Sequence, residues 1–216
     1  MDYSVKLNRL SVNAYKDHLK SIDLLPSRRV LLESIDRHFA SIIQNGIEDI
    51  GTLMLTVSTS KKLSALSKKT SISEDYLKIL KREIGGLIPK SVSLTEFDML
   101  TPVTIENLKN MGIRSSKDYF EVYPNISEAT LNHEECNRLF ALCGLVRING
   151  IGALAAKLFV EAGYVSAADI ASADPLDMAD KVNAINKRKQ YYDGQRLGVK
   201  DMTFCIVHAK MLIQYS

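Results

Sequence analysis

Apolar residues recur at three- and four-residue spacing along most of the chain. Alternation at every second position, the mark of a half-buried strand, is almost absent. Ser11 is placed to cap a short helix running through Leu19. After a break at Leu24-Leu25-Pro26-Ser27, the positions Val30, Leu31, Ile35, Phe39, Ile42 and Ile43 predict one helix from Arg28 to Asn45-Gly46. A second short helix follows, with Ile50, Leu53 and Met54 inward. Ser58, Thr59 or Ser60 caps a helix over 61–69 that turns Leu63 and Leu66 inward. Ser73 caps another, with Leu77, Leu80 and Ile84 inward and Gly85-Gly86 as its stop.

Beyond a connector at 87–95, Pro102 leads into a helix holding Ile105, Leu108 and Met111, stopped by Gly112. A short helix with Tyr119 and Phe120 ends at Pro124. Residues 127–143 read as helix, with Leu131, Cys136, Leu139, Phe140 and Cys143 inward. Then come a glycine turn, a helix to Gly163, a short helix over 166–172, a helix from about 176 to 188, and a last helix over 202–213. The fold class is all-α, with an N-terminal helical domain at 1–86 and a second at 96–216. Asn45-Gly46-Ile47, Met111-Gly112-Ile113 and Ala162-Gly163-Tyr164 repeat one theme: helix, glycine, apolar residue, short helix. Each glycine is expected at a helix C-terminus with positive φ. The unequal spacing of these glycines indicates a duplicated unit with insertions, not a solenoid of fixed period.

The stretch from Leu145 to Gly163 is the centre of interest. Gly150-Ile151-Gly152 allows a tight turn with exposed N–H groups, and a helix starts behind it. Such a start can hold phosphate through its N–H groups and dipole. Gly150-x-Gly152-x-x-Ala155 also fits the dinucleotide fingerprint, which needs a strand on each side. Leu145 to Ile148 is long enough for a short strand, but Ser166 and the alanines after it read as a helix start, so the fingerprint is set aside. A hairpin that only packs is the plain alternative.

Leu63 to Leu77 resembles a helix-turn-helix, although Glu74 and Asp75 stand where base contacts would be made, which favours a simple helical pair. Arg147-Ile148-Asn149-Gly150-Ile151-Gly152, followed by Ala155, resembles the hairpin and second helix of helix-hairpin-helix modules. Leu25-Pro26-Ser27-Arg28, Tyr76 to Ile84, Gly163-Tyr164 and Leu197 to Met202 extend the resemblance to an uncharacterised bacterial helix-hairpin-helix-like group, a domain of unknown function. That resemblance implies duplicated helix-hairpin-helix (SAM/HhH-type) repeats. Modules of this kind bind duplex DNA without sequence preference. Asn149, Gly150, Gly152 and Ala153 would then meet phosphate, with Arg147 and Lys157 as nearby cations. Asn149 stands where such motifs often have proline. In the middle repeat, Pro102 lacks an N–H and Val103 resists the positive φ of a glycine, so that hairpin is not expected to hold phosphate.

Charge sharpens this picture. The net +3 is small but uneven. Residues 61–82 carry Lys61, Lys62, Lys68, Lys69, Lys78, Lys81 and Arg82 against Glu74 and Asp75. Residues 181–200 carry Lys181, Lys187, Arg188, Lys189, Arg196 and Lys200 against Asp193. Each segment suits a polyanion or a solvated helix face. Lys187, Arg188 and Lys189, next to Tyr191-Tyr192, join the candidate nucleic-acid contacts. Residues 141–180, around the turn, are acidic.

His133, Cys136 and Cys143 share a helix, but one histidine and two thiols beside Leu139 and Phe140 read as core, so no metal is expected. No nucleophile elbow, P-loop or zinc-protease motif occurs, and neither enzymatic activity nor a cofactor is expected. Three cysteines without CxxC spacing, no apolar signal segment and no membrane-length apolar run suggest a cytoplasmic protein. The expected function is sequence-independent nucleic-acid binding through the 149–153 turn. The alternative is a protein-interaction or scaffolding module.

Overall fold

The computed structural model describes residues 2–126, 131–194 and 196–216. Among these the regular structure is helical, and the only extended pairings are isolated bridges between Ser11 and Asp49 and between Ser93 and Ser115. The helices are α1 (Val12–Ser21), α2 (Ile35–Gln44), α3 (Ile50–Thr56), α4 (Ser60–Thr70), α5 (Glu74–Gly85), α6 (Pro102–Asn110), α7 (Ser116–Val122), α8 (His133–Leu145), α9 (Ala153–Glu161), α10 (Ala167–Ser172), α11 (Pro175–Lys189) and α12 (Val199–Tyr215). Most begin where a short polar side chain satisfies a first-turn N–H: Ser11, Asp49, Thr59, Ser73, Thr101, Ser115, Asn132 and Ser166 each accept one, and Asp174 accepts two.

The chain divides into two compact units, one of residues 6–88 and one of residues 89–214 with residues 2–5. In the first, Tyr15, Leu19, Phe39, Ile42, Ile50, Leu53, Leu77 and Ile84 form a buried core. The expected helix from Arg28 is not continuous. Pro26–Leu32 winds as a 3₁₀ helix, Ser34 takes a left-handed φ of 50°, and α2 starts only at Ile35. The apolar spacing was met, but by two elements rather than one. α4 and α5 are joined by Ser71-Ile72-Ser73, with Ser71 left-handed at φ 57°.

In the second unit, part of the 87–95 connector is built into the structure. Leu94 N–H donates to Arg114 O at 3.2 Å and Ser116 N–H donates to Val92 O at 2.8 Å. The Tyr3 hydroxyl donates to Lys90 O at 3.0 Å and also meets Ser116 Oγ at 2.9 Å. The same pairing occurs in the first unit, from Val12 N–H to Glu48 O at 2.8 Å and from Ile50 N–H to Leu10 O at 2.9 Å. α8 begins at His133, because Asn132 and Glu135 cap it reciprocally, and the expected helical residues 127–130 lie outside the described residues. Leu145 ends that helix, so no strand precedes the glycine turn and the dinucleotide fingerprint has no frame.

Gly46, Gly112 and Gly163 close α2, α6 and α9 with φ of 79°, 83° and 92°. Behind each, an apolar residue reaches back five residues along the chain. Ile47 N–H donates to Ile42 O, Ile113 N–H to Leu108 O and Tyr164 N–H to Phe159 O, at 3.4, 2.9 and 2.9 Å. This is the double-bonded C-terminal motif that needs a left-handed residue, which explains glycine at all three positions. Three residues past each glycine stands the cap of the next helix: Asp49, Ser115 and Ser166.

Candidate nucleic-acid interface

The turn before α9 is held by two short bonds, Ile148 N–H to Leu145 O at 2.9 Å and Ile151 N–H to Ile148 O at 3.1 Å. Ile148 and Ile151 are buried, while Gly150 and Gly152 are exposed. The two glycines serve different ends. Gly150 has φ 89°, and a Cβ there would stand 2.9 Å from Phe204 Cε1. Gly152 is extended, at φ −89° and ψ 179°, and a Cβ there would meet nothing within 4 Å. It caps α9 with no side-chain acceptor, and the first intrahelical bond runs from Ala156 N–H to Gly152 O at 2.9 Å. The N–H groups of Ala153, Leu154 and Ala155 lie ahead of that bond at the positive end of the helix.

The turn before α6 has the same bonds but a different start. Phe97 N–H donates to Leu94 O at 3.2 Å, Leu100 N–H to Phe97 O at 3.1 Å and Ile105 N–H to Thr101 O at 2.9 Å. Thr101 stands where α9 has Gly152, and its Oγ1 accepts from Thr104 N–H at 3.1 Å and meets Thr104 Oγ1 at 2.8 Å. Met99 stands where Gly150 stands, without a left-handed backbone. The sequence pattern suggests the missing glycine at Val103, which lies within α6. The structure puts it at Met99, and Thr101 fills the helix start with the chain's own hydroxyl.

α12 backs the glycine turn. Asn149 Nδ2 lies 3.3 Å from His208 Nε2, and His208 Nδ1 lies 3.0 Å from Phe204 O. Burial holds the His208 ring below its ordinary pKa. Phe204 packs on His208 with ring centroids 4.2 Å apart, yet remains 40% exposed beside Gly150. Neither Phe204 nor His208 was a sequence candidate, because nothing local links them to a turn so far back in the chain.

The expected cations are placed otherwise than a phosphate site needs. Arg147 turns inward. Its Nε and Nη2 donate to Tyr3 O and Asp2 O, both at 2.9 Å, and Nη2 also meets Ser216 Oγ at 3.2 Å. Its guanidinium lies 4.3 Å from the Phe120 ring centroid. Arg147 thus ties Asp2, Tyr3 and Ser216 to the Phe120 side of the core. Lys157 Nζ pairs with Asp98 Oδ2 at 2.5 Å and sits 3.7 Å over the Tyr191 ring. Tyr191 in turn donates to Glu161 at 2.9 Å, so this ring is occupied by its own chain rather than offered to a base.

Lys187, Arg188 and Lys189 are exposed in the last turn of α11, with no ion-pair partner among the described residues. Their charge also complements the negative end of that helix. In the same segment Lys181 pairs with Asp177 at 2.8 Å and Arg196 with Asp180 at 2.9 Å. The other basic segment, 61–82, belongs to the first unit. Cys136, Cys143 and Cys205 are buried thiols, and burial pushes Cys205 up to about 12. Among the described residues no helix is long and apolar enough to cross a membrane.

Among the described residues the regular structure is helical, and α9 starts at a glycine with no side-chain cap. The chain belongs to the family described as Domain of unknown function (DUF4332), whose model matches residues 98–212. No curated protein and no solved structure matches it.

Proposed function

We propose that this is a non-enzymatic helix-hairpin-helix repeat protein whose hairpin at 149–153 holds a backbone phosphate of nucleic acid, duplex DNA first, without reading sequence. The units closed by Gly46, Gly112 and Gly163 are its repeats, and their shared C-terminal bonds support that reading. One observation carries the functional part. Two hairpins have matching bonds, but α6 is capped by Thr101 while α9 starts at a glycine with no side-chain cap and clear space before it. An oxyanion can approach the Ala153, Leu154 and Ala155 N–H groups, whereas at α6 Pro102 has no N–H and Thr101 Oγ1 already takes that of Thr104.

Binding is weak by this account, because Arg147 and Lys157 are engaged within the chain. With about one to three phosphates neutralised, log affinity should fall against log salt with a slope of about −1 to −3. Fluorescence anisotropy with mixed-sequence duplex at two salt concentrations tests it. Gly152→Val should abolish the local component at unchanged net charge. Lys187→Glu with Lys189→Glu should mainly flatten the slope. A second reading, a protein-interaction module, rests on Leu154 and Phe204, exposed apolar side chains at the same turn. No detectable binding at low salt, or binding indifferent to Gly152→Val, leaves that second reading in place.

A further inference from the structure

The first unit carries a hollow that the hairpin does not use, outside the residues the family model matches. It lies between α2 and the end of α4, has a volume of about 340 Å³, and is lined by Arg37, His38, Ser41, Gln44, Thr70 and Ser71. No carboxylate lines it. Asp36, the acid next in sequence, pairs with Lys20 at 2.6 Å and Lys16 at 3.4 Å. Two acceptors of Thr70 are engaged: its carbonyl takes the Ser41 hydroxyl at 3.0 Å, and its hydroxyl donates to Leu66 O at 2.8 Å.

The other polar lining side chains all include a donor. Arg37 is exposed and has no ion-pair partner among the described residues. Gln44 contributes an amide, and Ser71 a hydroxyl, on a backbone held left-handed at φ 57°. His38 adds a third kind. Its Nδ1 is buried without a hydrogen-bond partner, and its ring meets Tyr76 edge-on at 4.3 Å. A buried N–H without a partner is rarer and costlier than a bare lone pair. The ring proton therefore sits on Nε2, which becomes a donor. Lys68 and Lys69, outside the lining, close α4 at the same end and offset its negative pole. A guanidinium fork, an imidazole N–H, an amide and a hydroxyl, with no acid among them, match a group rich in oxygen acceptors and negative charge.

We infer that this hollow binds a small organic phosphate. Its volume exceeds that of orthophosphate several times over, which leaves room for a carbon skeleton beside the anion. The guanidinium meets the phosphate oxygens two at a time, while His38 and Gln44 hold its flank.

The test is amide chemical-shift mapping of the full chain at constant ionic strength, with ribose 5-phosphate, inorganic phosphate and succinate as probes. Saturable shifts confined to residues 37–44 and 70–71 with ribose 5-phosphate are expected, with weaker binding of inorganic phosphate and weaker still of succinate. R37Q, at an exposed position that leaves the rest of the spectrum in place, should weaken ribose 5-phosphate at least fivefold. Q44A should weaken it less, and G152V not at all. The inference is overturned if no saturable shift appears, if shifts spread along 61–69 as general cation screening, if succinate binds as well as the sugar phosphate, or if R37Q binds unchanged.

Discussion

Asn149 Nδ2 and His208 Nε2, 3.3 Å apart, join the glycine turn to the last helix and fix the state of the imidazole. The Phe204 carbonyl can only accept, so Nδ1 carries the proton, and the Nε2 lone pair receives the Asn149 amide. Only the Nε2 bond requires a neutral ring, because a charged imidazole still donates from Nδ1 but has no lone pair for Asn149. Burial already holds the His208 pKa below its usual 6.5, and His38 is lowered too, by burial first and by the Arg37 charge second.

The consequence for stability has a definite sign. Between the folded and unfolded pKa values the unfolded chain binds more protons, so stability rises with pH there. The contribution of each histidine is complete above 6.5 and is lost as pH falls below 6.5 through the folded value. His208→Gln offers Asn149 an acceptor that does not titrate. Melting temperature followed from pH 7.5 to 5, ordinary assay limits, should fall less steeply in this variant than in the parent. An unchanged slope would show that His208 is not linked to folding.

The two glycines of the turn should separate cleanly. Gly150→Ala forces a left-handed backbone and drives a Cβ towards Phe204, and should destabilise by about 1–2 kcal/mol. Gly152→Ala meets neither obstacle and should leave the denaturant midpoint within about 0.5 kcal/mol of the parent. Equal losses at the two positions would mean that the open start of α9 is not open.

That distinction marks what could be read from the sequence. Gly46, Gly112 and Gly163 were legible because a helical apolar pattern ending in glycine and resuming with an apolar residue has one common backbone solution. The caps Ser11, Ser73 and Ser166 were legible for the same local reason. Gly150 and Gly152 looked alike because their difference lies in φ and in Phe204, far along the chain. The break at Ser34 was hidden because a 3₁₀ turn followed by a helix preserves roughly the same apolar spacing. Arg147 and Lys157 were assigned to phosphate from proximity in sequence. Their partners, Tyr3 and Asp98, are remote, and no local pattern announces them.

Arg147 is therefore a stability residue. It satisfies two backbone carbonyls and covers the Phe120 ring. Arg147→Lys keeps the charge but loses the fork and the planar stack, and should cost about 2–3 kcal/mol in denaturant unfolding. In Arg147→Met, which removes the charge, the salt slope of nucleic-acid binding should not change, since the guanidinium is held by Asp2 O, Tyr3 O and the Phe120 ring. A variant that is stable but flatter in slope would restore Arg147 to the interface.

Lys157 can be released. Its Nζ is held by Asp98 Oδ2 at 2.5 Å and by the Tyr191 ring at 3.7 Å, and its side chain is 16% exposed while that of Asp98 is 67% exposed. A pair with one partner in solvent contributes little to folding, so Asp98→Asn should cost no more than about 1 kcal/mol. The same change removes an acid beside the hairpin and leaves Lys157 with the ring alone, a contact of about 1–2 kcal/mol for a largely buried ammonium. A phosphate on the α9 start would then compete for the ammonium. Duplex binding in anisotropy should tighten at low salt, and the slope should steepen by about 0.9, the equivalent of one further phosphate. Adding Lys157→Met to Asp98→Asn should cancel the gain, because the neutral side chain has no counterion to release. If Asp98→Asn tightens binding and the double variant keeps the gain, lost acid repulsion is the cause and Lys157 is not a contact. If neither variant changes binding, the phosphate does not sit at this hairpin.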